Sequence, residues 1–240
     1  MPFLASMAGT SAFGRPPQTR DTATAPATGG SILLTASSTS GISIPNSADV
    51  QMGTGDFTIE WFQYQLASSG QFQRIFSIGS YPGQSIAVSQ EGTDTSKSIY
   101  IWASGGVAQG TARNLQGAWY HFAITRASGS LRVFLDGTQI GTTAANSTNF
   151  NDTSNVLRIG NESSTSSPAA FNGYITNFHW VKGTALYTAN FTRPSKPITP
   201  VANTKLLLRA TTSETVLSDS SGTGKVATGT GTAWNSLSPF

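Results

Sequence analysis

The chain has 240 residues, with 14 Lys and Arg against 11 Asp and Glu and no cysteine. Only 10% of its residues are charged, far below the quarter usual in soluble domains, so solubility rests on Ser, Thr, Asn, Gln and Gly, a surface suited to extracellular, virion or sugar-facing settings. The lack of cysteine excludes disulfide scaffolds, thiolate metal sites and Cys nucleophiles, and no run of Lys or Arg exists to neutralise a phosphate backbone, which excludes nucleic-acid binding.

Residues 1–30 are rich in Ala, Thr, Gly and Pro and carry little to bury. They read either as a frayed terminus or as an extended arm, whose apolar patch of Phe3, Leu4, Met7 and Phe13 would dock on a partner. Met1–Ala5 lacks a basic leader and a long apolar run, so no signal peptide is read. No stretch approaches the ~20 apolar residues of a membrane-spanning helix, so no membrane partner is expected.

From residue 31 onward, strand signals recur at 31–36, 41–44, 57–66, 73–78, 85–89, 98–103, 119–125, 131–136, 156–159, 173–181 and 205–210. Ser/Gly/Thr/Asn-rich turns separate them, and no window has helical amphipathicity. Residues 142–155 are polar without apolar periodicity and read as a surface loop. The sharpest signal is 119–137, two β-rich runs around a short Gly-containing linker, the pattern of a hairpin. Phe122 and Ile124 match Val133 and Leu135 as one apolar face. The other face carries Trp119, His121, Arg132 and Phe134, a mixture that suits water or a ligand. The whole predicts an all-β, two-sheet antiparallel jelly-roll sandwich.

Three blocks in order carry a resemblance. The first joins Gly41-Ile42-Ser43-Ile44-Pro45 to Gly53-Thr54-Gly55-Asp56-Phe57-Thr58-Ile59-Glu60-Trp61. The second is the 119–137 hairpin. The third joins Leu157-Arg158-Ile159-Gly160 to 171–180 and Gly183-Thr184-Ala185-Leu186-Tyr187. Together they resemble the laminin-G-like branch of the concanavalin A-like lectin/glucanase superfamily. The resemblance implies one domain over 31–240, with 31–36 and 205–210 side by side as first and last strands. In that reading Trp234 and Phe240 of the tail either fold back on the sandwich or seal a contact with another subunit.

The superfamily's laminarinase-type enzymes place their carboxylates on one strand as Glu-x-Asp-x-x-Glu. None of the four glutamates here, Glu60, Glu91, Glu162 and Glu214, stands in such a motif. Asp56 and Glu60 lie roughly 13 Å apart by strand rise, too far for a glycosidase pair. His121 and His179 fall within strands and read as structural, bonded to a neighbouring strand or loop. Relatives of this kind often hold Ca²⁺ through rim oxygens. The candidate donors are Asp94, Asp136, Asn151, Asp152, Asn155, Asn161 and Glu162, though Asp136 before Gly137 is explained by turn chemistry alone. Candidate sugar platforms are Tyr81, Tyr100, Trp102, Trp180 and Tyr187. Trp61, in step with Phe57 and Ile59, belongs to the core. Tyr100 and Trp102 alternate with Ile99 and Ile101, and the sequence does not say which pair faces inward. Sequons at Asn146, Asn151, Asn161 and Asn190 follow from composition.

Such domains bind glycans or proteins and usually perform no chemistry, although fold alone does not establish function. The reading is a non-catalytic bacteriophage surface protein, a capsid decoration or fibre component. It would join other virion or surface proteins through its arm, and a homo-oligomer is a further expectation. The alternatives are a non-viral extracellular lectin and a glycan hydrolase with a diverged carboxylate pair.

Overall fold

A computed structural model describes residues 29–66, 72–93, 96–103, 106–110, 113–162 and 170–240. The proposed docking residues Phe3, Leu4, Met7 and Phe13, and the calcium candidate Asp94, lie outside the described residues. Two antiparallel sheets face each other across an apolar core. Sheet A contains β1 (Ser31–Leu34), β3 (Phe57–Gln65), β8 (Trp119–Ala127), β9 (Ser130–Leu135), β10 (Thr138–Ala145), β12 (Gly173–Lys182), β13 (Thr204–Leu208) and β15 (Thr232–Asn235). Sheet B contains β2 (Gly41–Ile44), β4 (Phe72–Ile78), β5 (Ile86–Thr93), β6 (Ser96–Trp102), β7 (Gly106–Gln109), β11 (Leu157–Ile159) and β14 (Thr228–Thr230). The jelly-roll sandwich expected from the strand pattern is the fold found.

Alternation decides what the core receives. Phe57, Ile59 and Trp61 of β3 and Phe122 and Ile124 of β8 turn toward sheet B, where Phe76, Ile86, Val88, Ile99 and Ile101 meet them. Trp61 is the hub, stacked on Phe122 at 5.4 Å and edge-on to Phe76 at 5.9 Å, a geometry the ring quadrupoles favour. The β8–β9 connection is tighter than the sequence suggested. Ala127 pairs with Ser130, and Ser128 and Gly129 both take positive φ, as a two-residue primed turn requires.

Three features depart from the expected layout. Residues 138–145 form β10 on β9 with a bulge, so the stretch read as a loop from 142 is part strand. Its apolar signal is weak because β10 is an edge strand, and little beyond Ile140 turns inward. The first strand and 204–208 are not side by side. β1 pairs with the first half of β12 and β13 with the second half, so they lie end to end along one edge. The tail instead supplies two short strands that serve both layers, β14 on β2 in sheet B and β15 on β1 in sheet A. At the opposite side β10 packs against β7, and Ile140 lies over Gly110.

The outer face of sheet A is covered as well. Residues 183–203 cross it as a strap, and Phe240 packs edge-on to Phe62 at 5.0 Å. The strap fits closely over the β9–β10 turn, where Asp136 and Gly137 both have positive φ. A Cβ on Gly137 would collide with the Phe191 carbonyl, whereas one on Gly117 meets nothing within 4 Å. Gly137→Ala is therefore expected to lower stability by about 1–3 kcal/mol. Gly117→Ala, which shares the positive φ but not the collision, should cost less. Thermal melts of the two variants check this.

Candidate functional site

The outer face of sheet B carries the chemistry that sequence alone left undecided. Ile99 and Ile101 are the inward pair, so Tyr100 and Trp102 face out, half-buried. Their rings lie nearly parallel, with centroids 5.7 Å apart and an interplanar angle of 18°. Register sets small residues beside them: Ser89 is the partner of Tyr100, and Ala87 that of Trp102.

Trp102 is fixed in place. Its indole Nε1–H donates to Glu91 Oε1 at 2.8 Å and to Ser89 Oγ at 3.1 Å, and Ser89 Oγ–H donates to Glu91 Oε1 at 2.6 Å. Arg74 Nη1 is 3.8 Å from Glu91 Oε1, and its Nε donates to Glu162 Oε2 at 3.2 Å. One buried guanidinium thus bridges the carboxylates of β5 and of the segment after β11, and its Nη1 keeps an unfilled donor. Phe72, the register partner of Glu91, is 50% exposed beside them. Phe72, Arg74 and Ser89 were not picked out as site residues from sequence. The available signal was the alternation of Phe72 with Arg74 at the start of β4, visible only once the bulge at Ile75 is known.

The other platform candidates go elsewhere. Tyr81 stands on the β4–β5 turn and is 64% exposed. Trp180 is corrected to core: it is 0% exposed and packs against Phe76 and Phe178. The reason is a bulge between Thr176 and His179, centred on Asn177 with φ 53°. The extra residue reverses the alternation, so Phe178 and Trp180 turn inward and His179 outward. Tyr187 lies on the strap over sheet A, stacked on Phe191 at 3.6 Å, and its hydroxyl donates to Glu60 Oε2 at 2.9 Å.

Tyr187 belongs to a second polar cluster, on the outer face of sheet A. Glu60, His121 and His179 come from three neighbouring strands and are all buried. His179 Nδ1 is 2.7 Å from Glu60 Oε1, and His121 Nε2 is 3.0 Å from Oε2. Thr204 Oγ1 accepts from Val201 N–H and lies 2.8 Å from His179 Nε2. Burial works against the charge on Glu60, but the hydrogen bonds from His121 and His179 prevail and hold its pKa at about 2. Burial, reinforced by the Glu60 charge, raises that of Tyr187. The mixed outer face of the hairpin, with His121 and Phe134 at 0% exposure, therefore meets the strap and not water or a ligand. A cavity of about 320 Å³ between strap and sheet touches Glu60, His179 and Tyr187.

Of the described calcium candidates, Asp152 and Asn155 are bonded side chain to side chain, and the others hold separate partners. Asp136 pairs with Arg193, Asn151 caps Gly53 N–H, and Glu162 binds Arg74. Asp152 closes a local turn; burial opposes its charge, while bonds from Asn155 and the Ser154 and Asn155 amides hold its carboxyl below the usual range. Among the described residues no three His, Cys, Asp or Glu side chains form a metal-holding group. Beside Asn151, a cleft of about 470 Å³ is lined by Asn46, Gln51 and Lys182, whose polar side-chain groups are already bonded to neighbouring residues.

Comparison with known proteins agrees with this fold. A laminin-G family model, described as concanavalin A-like lectin/glucanases superfamily, matches residues 36–186. No curated protein sequence matches the chain. Among solved structures, a protein assigned to carbohydrate binding from Bacteroides ovatus ATCC 8483 aligns with a TM-score of 0.68 at 13% identity, over 87% of this chain and 60% of that one. A heptameric SAP-like pentraxin from Limulus polyphemus aligns with a TM-score of 0.57 at 14% identity, over 87% and 95%. The chain thus spans under two thirds of the Bacteroides protein, and identities this low establish a shared fold alone. The match over more than half the chain, on the sandwich described above, makes it a member of the concanavalin A-like lectin/glucanases superfamily, in its laminin-G branch.

Proposed function

We propose that this protein is a non-catalytic glycan-binding module, with the sugar lying on the outer face of sheet B across Trp102 and Tyr100. The observation that carries this reading is the near-parallel Tyr100–Trp102 pair, clamped by Glu91 and Ser89 on an otherwise polar face. Pyranose C–H faces stack on such rings, while the partly exposed Glu91 carboxylate supplies an acceptor for hydroxyls. The likeness to a carbohydrate-binding sandwich supports the same class of ligand.

The ionic pattern supports binding without hydrolysis. A glycosidase needs one carboxyl that carries a proton to the leaving oxygen. On this face Glu91 and Glu162 are both ion-paired to Arg74, and Glu60 lies under the strap with three donors on it.

The test is a glycan-array screen of the full chain, with calcium and with chelator, followed by titration of the best sugar. Trp102→Ala is expected to weaken binding at least about tenfold, near 1.4 kcal/mol, with the melting temperature little changed. Unaltered affinity in that variant would remove the sugar from this face.

The setting we infer is a virion or other surface assembly, joined through residues 1–28. Low charge, a self-contained sandwich and the apolar patch of Phe3, Leu4, Met7 and Phe13 support it. Deleting residues 1–28 is expected to leave a folded, glycan-binding protein that no longer co-sediments with its assembly. Normal incorporation of the truncated protein would refute the arm's role.

A further inference from the structure

The apolar core stops short at one end of the sandwich. On β3 the face that presents Phe57, Ile59 and Trp61 to sheet B continues as Gln63 and Gln65, both 0% exposed. Across the gap, Gln73 and Gln90 are register partners on β4 and β5, also 0% exposed. They lie on the face of Val88, because their neighbours Arg74, Ser89 and Glu91 point outward into the Trp102 cluster. The two ends are brought together by Trp61 against Phe76, by the Leu66 N–H bond to Asn172 O, and by the Arg74–Ala170 bridge.

This amide layer is under-satisfied. Trp61 Nε1–H donates to Gln63 Oε1 at 2.8 Å. Gln63 Nε2 and both amide atoms of Gln65 and of Gln90 are buried with no partner among the described residues. Buried amides are almost always bonded, to protein or to a bound molecule. Three of these atoms are donor nitrogens and two are acceptor oxygens, which asks for a group that both donates and accepts. An apolar occupant would leave all of them unpaired. A cation would satisfy only the oxygens, and the buried Lys97, whose Nζ bonds Gly92 O on the adjacent strand, disfavours one.

We propose that this end of the inter-sheet gap is a hydroxyl-binding niche, lined by Gln63, Gln65 and Gln90, that takes water or sugar hydroxyls. At about three hydrogen bonds per buried water, five amide atoms call for about two waters. The niche stands independently of the sheet B platform, since it rests on interior amides and not on Trp102.

The test uses the full chain. A crystal structure at high resolution is expected to show ordered oxygen density within 3.2 Å of Gln65 and Gln90 amide atoms. Repeating it in cellotriose separates the two sources: waters that stay in place identify solvent as the occupant, and sugar hydroxyls in their positions identify the glycan. Oxygen-17 relaxation dispersion in solution should report long-lived internal waters, with the amplitude reduced by about half in Gln90→Leu. Amides paired with one another around a dry gap, or an amplitude unchanged in Gln90→Leu, would overturn the proposal. Neither result bears on whether Trp102→Ala loses glycan affinity, so the two readings fail separately.

Discussion

Arg126→Leu is expected to destabilise the sandwich by about 3–5 kcal/mol, lowering the melting temperature by about 10 °C or more. Arg126 lies near the end of β8 at 0% exposure, and its guanidinium ties together two loops, β2–β3 and β10–β11. Nε and Nη2 donate to Gly55 O, Nη2 also to Gly53 O, and Nη1 to Asn146 Oδ1 and Thr148 O, all between 2.7 and 2.9 Å. The plane also lies 5.1 Å from the Phe57 centroid and 4.8 Å from that of Phe150. Burial lowers its pKa, with the Asp56 charge opposing that shift, yet an arginine stays protonated throughout the working range. Leucine would strip Gly55 O, Asn146 Oδ1 and Thr148 O of this donor, while Gly53 O keeps the Phe150 N–H. Arg126→Lys should recover only part of the loss, because a single ammonium lacks the fork that reaches both sides. Urea denaturation measures both, and a loss under about 1 kcal/mol for Arg126→Leu would mean the loops hold themselves.

Glu60→Leu is expected to cost a similar amount, about 3–5 kcal/mol, since it strands His121, His179 and Tyr187 without their common acceptor. The wild-type protein carries the matching pH signature. Glu60 is depressed from 4.5 to about 2 in the folded state. Its contribution is therefore complete above about pH 4.5 and lost as pH falls toward 2, an effect of about 3 kcal/mol for a group this deeply buried. Chemical denaturation from pH 7 to pH 2 should show wild type losing stability below about pH 4.5, and Glu60→Leu losing distinctly less, its remaining slope coming from Asp49, Asp152 and Asp219, which are also held below the usual range. Parallel curves would place the acid sensitivity elsewhere. Because Glu60 and His179 tie down Tyr187 and Thr204, hydrogen exchange in residues 183–203 should rise first on acidification.

Strands whose alternation is unbroken were legible in the sequence. β3, β8 and β9 could be placed from Phe57, Ile59, Trp61, Phe122, Ile124, Val133 and Leu135 because each faces one apolar layer at period two. Where the backbone adds a residue, the reading fails. One extra residue at Asn177 moved Trp180 from candidate platform to core and sent His179 to Glu60. β10 escaped notice because an edge strand buries little, so its sequence lacks the alternation that marks its neighbours.

Composition, turn residues and period-two patterning were enough to determine an all-β sandwich, since local sterics and the burial of one strand face act through near neighbours in the chain, and its laminin-G kind was implied by the resemblance of three ordered blocks. The tertiary structure alone decided that Tyr100 and Trp102 face outward, that Arg74 joins Glu91 to Glu162, and that two histidines share Glu60 beneath a strap. Each of these depends on sheet order, bulges and contacts between residues up to 127 positions apart, such as Tyr187 and Glu60. A sequence pattern records which side chains alternate. It does not record which layer each face will meet.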